Sequence, residues 1–172
     1  GTFNMDGGTI KSNTSSGGYG TLSFGGAGVY VEASGNFIMN NTASVTENKI
    51  GYGSTGGAGV YVNGGTFEMN KNASVTGNQV TGKDRNGGGV YMIGDQFTMY
   101  GGEISGNYLG ASGPSGAGVC VRESGTFTLY DGLITKNYCP TGGSGVSLRD
   151  KGTTVNLCGG TITGNYADSY YQ

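Results

Sequence analysis

The chain has no histidine and no tryptophan, and among 172 residues it has only two prolines and three cysteines. Without histidine it lacks the commonest general base and the commonest metal ligand. Charge is scarce too: nine Lys plus Arg stand against eleven Asp plus Glu, a net of −2, and no basic run is present, so nucleic acid is excluded as a partner. No apolar stretch approaches the roughly eighteen residues that span a bilayer, and no signal peptide opens the chain. Gly1 falls inside a repeat, so the sequence reads as a piece cut from a longer protein.

What is abundant is glycine, 39 residues, in a background of Thr, Ser, Asn, Val and Tyr. Glycine costs about 1 kcal/mol against alanine inside a helix, and the other residues favour strands and turns, so the chain is read as nearly all β. Collagen and disorder fail as explanations, because there is no Gly-X-Y period and the apolar residues are regularly spaced.

That spacing carries the fold. Gly-Gly-Ala-Gly-Val-Tyr-Val at residues 25–31 recurs at 56–62, with weaker copies opening at Gly87, Gly116 and Gly143. Each unit has three apolar stations that alternate as a strand with one buried face does. The first holds Val29 and Val31, repeated at Val60 and Val62, Val90 and Met92, Val119 and Val121, Val146 and Leu148. The second pairs Phe with Met or Leu, from Phe3 and Met5 through Phe127 and Leu129, and ends in Val155 and Leu157. The third is one aliphatic residue, Ile10, Val45, Val75, Ile104, Ile134 or Ile162, and three residues later there is always an asparagine.

Three short strands per unit of about 30 residues, with no room for a crossover helix, predict a parallel β-helix, right-handed by the general rule for parallel connections. A single domain over 1–172 is expected, with a partial coil over 1–24 and coils starting near residues 25, 56, 87, 116 and 143. Equivalent residues then stack about 4.8 Å apart, and six copies of the third station make a column about 25 Å tall. The segments after each asparagine vary in length and are read as loops on one edge.

The asparagine column, Asn13, Asn48, Asn78, Asn107, Asn137 and Asn165, is read as an inward ladder, since an amide has donors and an acceptor for both the neighbouring layer and the turn backbone. Asn13, Asn40 and Asn72 also open Asn-X-Ser/Thr sequons, but the turn role is the stronger reading.

The Gly-Gly-Ala-Gly-Val element and the apolar-X-X-Asn tetrapeptides, such as Val45 to Asn48 and Ile104 to Asn107, resemble the repeats of polymorphic outer membrane proteins and related bacterial β-helical surface proteins of the pectin-lyase-like fold. The resemblance covers nearly the whole chain. It implies an exported, extracellular or cell-surface module of adhesin-like character.

Chemistry offers little against that reading. β-Helical polysaccharide lyases and glycoside hydrolases, the rival class, need paired carboxylates, or carboxylates with Arg or Lys and often Ca²⁺. The one charge cluster, Asp95, Arg122, Glu123, Arg149, Asp150 and Lys151 with Glu32 below, alternates in sign and reads as a solvated salt-bridging corner. No phosphate loop, calcium-binding nonapeptide or zinc spacing is present, so no cofactor, metal or catalytic residue is assigned. Outward threonines on the third station are too interrupted, by Lys11, Glu103 and Leu133, for an ice-binding face.

Two outward columns remain, Tyr30, Tyr61 and Tyr91 on the first station and Tyr108, Tyr138 and Tyr166 after the asparagines. Both are expected to be exposed, packing against one another and offering contact to a glycan or a cell-surface protein. End-to-end self-association of the coil is the other expected partnership. The cysteines, Cys120, Cys139 and Cys158, are odd in number, so at least one is unbridged; Cys139 to Cys158 is the pairing considered.

Overall fold

A computed structural model describes residues 1–16, 23–51, 54–82, 87–110 and 116–168. The chain winds into a parallel β-solenoid of about five turns, with roughly 30 residues per coil. The three expected stations form three sheets that run along it. The valine sheet holds Val29–Glu32, Val60–Asn63, Val90–Ile93, Val119–Arg122 and Val146–Leu148. The phenylalanine sheet runs from Thr2–Met5 to Thr154–Leu157 and the aliphatic sheet from Thr9–Lys11 to Thr161–Thr163, each six strands deep. Every pairing is parallel and in the register the repeats imply: Val60 faces Val29 and Val90, Phe67 faces Phe37 and Phe97, and Val75 faces Val45 and Ile104.

One difference from the sequence reading is a fourth sheet. Directly after the asparagines, where loops were expected, lie the two-residue strands Thr14–Ser15, Lys49–Ile50, Gln79–Val80 and Tyr108–Leu109. Bridges from Tyr108 to Tyr138 and from Tyr138 to Tyr166 continue the row. A two-stranded patch, Ser23–Phe24 with Ser54–Thr55, completes the sheets among the described residues.

Two apolar layers result. The main core fills the space between the three long sheets with columns such as Phe37, Phe67, Phe97 and Phe127, whose rings stack with centroids 4.5 to 5.2 Å apart. A thinner layer packs Ile50, Val80, Leu109 and Cys139 from the fourth corner against Ala58 and Ala117. That explains the alanine of the Gly-Gly-Ala-Gly-Val element, which lies under these larger side chains.

The glycine before each valine has its own cause. A Cβ on Gly59 would stand 2.9 Å from the Asn78 Nδ2 and 2.6 Å from the Gly89 carbonyl oxygen, and Gly28, Gly89, Gly118 and Gly145 meet their own asparagines as closely. The glycine and asparagine columns therefore require one another. The residue just before each ladder asparagine, Ser12, Glu47, Gly77, Gly106, Lys136 or Gly164, has φ between 54° and 63° and turns the chain so that the asparagine points inward. Three of the six are not glycine, although L residues are held there at a cost of about 1 to 2 kcal/mol.

Candidate functional site

The ladder is inward, as expected: Asn48, Asn78, Asn107 and Asn137 are fully buried. Each Oδ1 accepts two bonds from the preceding coil, as Asn78 does from the Asn48 backbone N–H and Nδ2, both at 3.0 Å. Each Nδ2 gives one hydrogen to the next coil's Oδ1 and the other to a carbonyl of the coil before, as Asn78 does to Asn107 at 3.0 Å and to Val45 at 3.1 Å. Asn13 and Asn165 continue the pattern through Asn48 and Asn137 with greater exposure. All four hydrogen-bonding positions of each central amide are used, so the ladder is structural and offers nothing to a ligand.

The tyrosines divide. Tyr30 is 41% exposed, but Tyr61 is 2% and Tyr91 3%, which corrects the expectation of one exposed column. Position explains part of this. Tyr61 is sandwiched between Tyr30 and Tyr91, with centroids 5.1 and 5.4 Å away, and Tyr91 between Tyr61 and Cys120, whereas among the described residues Tyr30 meets a ring, that of Tyr61, on one side only. Ile93 packs against the same cluster. Burial, reinforced by Tyr91 and Tyr30, pushes the Tyr61 hydroxyl up to about 12. Burial also raises Tyr91, although the Arg122 guanidinium, 3.1 Å from its hydroxyl, works the other way.

Tyr108, Tyr138 and Tyr166 do form an outward row, and Tyr166 is the most open at 57%. The Tyr108 and Tyr138 rings stack at 5.3 Å with 13° between planes, while Tyr166 is tilted 50° from Tyr138. Rings stacked face to face present their edges and hydroxyls to solvent, so the tilted Tyr166 is the ring with a face to offer. Tyr138 donates its hydroxyl to Asp168 Oδ2 at 2.5 Å, and that bond lifts its pKa to about 12. A cavity of about 400 Å³ lined by Pro140, Thr141, Gly142, Ala167 and Asp168 adjoins this row.

The expected charged corner is built around Arg122, which clasps Asp150 through Nε at 2.8 Å and through Nη2 at 3.4 Å. The hydrogen bond from Arg122 holds the Asp150 carboxyl below the usual carboxylate range, and the Arg122 pKa is raised in return. This is an ion pair at the surface, with both partners neutralised by each other.

The cysteine pairing considered from sequence is not formed: Cys120, Cys139 and Cys158 are all thiols. Cys139 lies buried in the layer behind the fourth sheet, whereas Cys158 follows the last strand of the phenylalanine sheet and is exposed, so the two occupy different corners of the coil. Burial pushes the Cys120 thiol up to about 11 and raises Cys139 as well.

Sequence reasoning missed one aromatic pair. Tyr100 and Tyr130 are 45% and 50% exposed and stack at 5.1 Å with 6° between planes. Both directly follow a phenylalanine-sheet strand, a position held by Asn40 and Asn70 in earlier coils. There the column is polar: Asn70 donates to Asn40 Oδ1 at 2.8 Å and Asn40 to Asp6 Oδ1 at 2.7 Å. The available signal was the shared offset from Met99 and Leu129. Among the described residues no group of three or more His, Cys, Asp or Glu is placed to hold a metal, and no helix is long and apolar enough to cross a membrane. No protein-family model matches the chain, and no curated protein or solved structure matches it significantly.

Proposed function

We propose that this chain is a non-enzymatic display module of an exported, cell-surface protein of adhesin-like kind, touching a glycan or a surface protein through its outward tyrosines. The observation that carries this reading is the regular outward row Tyr108, Tyr138 and Tyr166, held at 5.3 and 5.1 Å steps on a coil whose interior amides are fully bonded. Repeated contacts on a stiff support suit weak binding that strengthens with the number of sites engaged. A tyrosine contributes apolar area and a hydroxyl with few rotors to freeze, which suits an open surface without a deep pocket. The export and bacterial setting rest on the repeat resemblance.

The test is a glycan array and a surface-protein panel, run beside reducing-end and unsaturated-product assays on neutral and acidic polysaccharides. Binding without turnover is expected, weakened when Tyr108, Tyr138 and Tyr166 are replaced by alanine together. Turnover that vanishes on replacing Arg149 or Asp150 would overturn the reading in favour of the lyase or hydrolase class.

A further inference from the structure

A step in the coil outline creates a groove unrelated to either tyrosine column. Between the phenylalanine and aliphatic sheets, the coil that ends in Met69 turns through four residues, 70–73, before Ser74. The next coil turns through only three, 100–102, between Met99 and Glu103, and the one after through 130–132. The 70–73 turn, like 40–43 in the coil before it, is one residue longer than the turns that follow, so the outline steps inward at Gly101. Gly101 and Gly102 cannot fill the difference: a Cβ on Gly101 would stand 2.9 Å from Lys71 Cγ, and one on Gly102 2.3 Å from the Ala73 carbonyl oxygen. The step outlines an open groove of about 410 Å³, within the range of roughly 300 to 1,000 Å³ common for small-ligand sites.

The lining sets the chemistry. Lys71 and Asn72 stand on one side, Asp131 and Leu133 on the other, with Ser74 and Glu103 on the adjoining face. Among the described residues none of Lys71, Glu103 or Asp131 is in an ion pair, and all three are exposed. Asp131 Oδ1 accepts the Gly132 N–H at 2.8 Å, which fixes the carboxylate and leaves Oδ2 for a ligand. Half-buried Leu133 adds an apolar patch, and the stacked Tyr100 and Tyr130 immediately precede Gly101 and Asp131 on the same turns.

We infer that this groove, formed by the change in turn length beside Lys71 and Asp131, binds a neutral, hydroxyl-rich saccharide. Two carboxylates against one ammonium repel an anionic polysaccharide, whereas vicinal hydroxyls can donate to the carboxylates and accept from Lys71. A C–H-rich sugar face suits the apolar patch at Leu133. An extended peptide is the poorer fit, since strand addition needs an open sheet edge and the backbone here is already paired, Glu103 N–H to Ala73 at 2.9 Å and Leu133 N–H to Gly102 at 3.0 Å. The site rests on the reading of the chain as a contact module, but lies on a different corner from Tyr108, Tyr138 and Tyr166.

The experiment is a glycan array of neutral and acidic oligosaccharides probed with the whole chain, followed by calorimetric titration of the best neutral hit. Asp131→Asn and Lys71→Ala should each weaken binding about tenfold with unchanged melting temperature, because both side chains are exposed, while Lys49→Ala, an exposed charge on another corner, should change it less than about twofold. Binding lost in Tyr108→Ala but kept in Asp131→Asn would overturn the groove and leave the tyrosine reading standing. Recognition of acidic glycans alone would overturn the ligand class. Binding to a glycan-free protein surface, or to nothing on the array, would overturn the inference; the former would spare the contact-module reading if it failed in Tyr108→Ala.

Discussion

Asn78 shows what one residue does in this solenoid. Its amide closes bonds to Asn48, Asn107 and the Val45 carbonyl with no exposure. Asn78→Ala strands the Asn48 N–H and one Asn48 Nδ2 hydrogen below, takes the amide donor from the Val45 oxygen and removes one of the two bonds to Asn107 Oδ1 above. Each buried polar group left without a partner costs about 1 to 3 kcal/mol, and several at once rival the whole stability of a domain. Thermal melts should therefore show Asn78→Ala unfolded or severely destabilised. Asn13→Ala, at an exposed rung, should lower the melting temperature only slightly. Equal losses for the two would mean that the ladder's strength does not come from burial.

At the scale of elements, the long sheets were legible in the sequence because four-residue strands alternate long enough to mark a face, as Val60 and Val62 do around Tyr61. The fourth sheet was not legible. A strand such as Lys49–Ile50 buries only Ile50, and one apolar residue has no period to detect. Burial of Tyr61 and Tyr91 was hidden for a similar reason, since alternation gives the outward side of a strand but not what packs on that side. The groove at Lys71 depends on turns of unequal length, visible only once coils are stacked. The buried Tyr61 and Cys120 groups predict an alkaline weakness. Both are favoured neutral in the fold, so their contribution is complete at neutral pH and is lost as pH rises from their ordinary ranges through about 11 for Cys120 and about 12 for Tyr61. Cys120 alone then accounts for on the order of 3 kcal/mol. Melting temperature should be flat to roughly pH 9 and fall steeply above it, less steeply in Tyr61→Phe. In the native protein a disulfide reagent should label Cys158 quickly and Cys120 and Cys139 only after unfolding; three fast thiols would contradict the buried corners.

Over the whole molecule, each coil touches mainly the coils beside it, so stability is a sum of coil and interface contributions rather than one common core. Central coils have two neighbours and terminal ones fewer, and the exposure of Phe3 and Leu157 beside fully buried Phe67 and Met69 reflects this. Hydrogen exchange should protect Val60–Asn63 and Val90–Ile93 longest and release Thr2–Met5 and Thr161–Thr163 first. Uniform protection would show all-or-none unfolding instead. The asparagine ladder adds a sense of direction to this arithmetic. Asn48, Asn78, Asn107 and Asn137 each donate one hydrogen toward the C-terminal coil and accept from the N-terminal one, so their side-chain dipoles point the same way and reinforce one another. A duplicated stretch spliced between two inner rungs finds donors below and an acceptor above only if it brings one complete rung. Half a coil, or one out of phase, breaks the chain of amides. Lineages carrying such a protein should thus lengthen or shorten it in whole-coil steps, while the stretch from a rung to the next valine, 16 residues after Asn13, 12 after Asn48, Asn78 and Asn107 and 9 after Asn137, varies outside the middle coils.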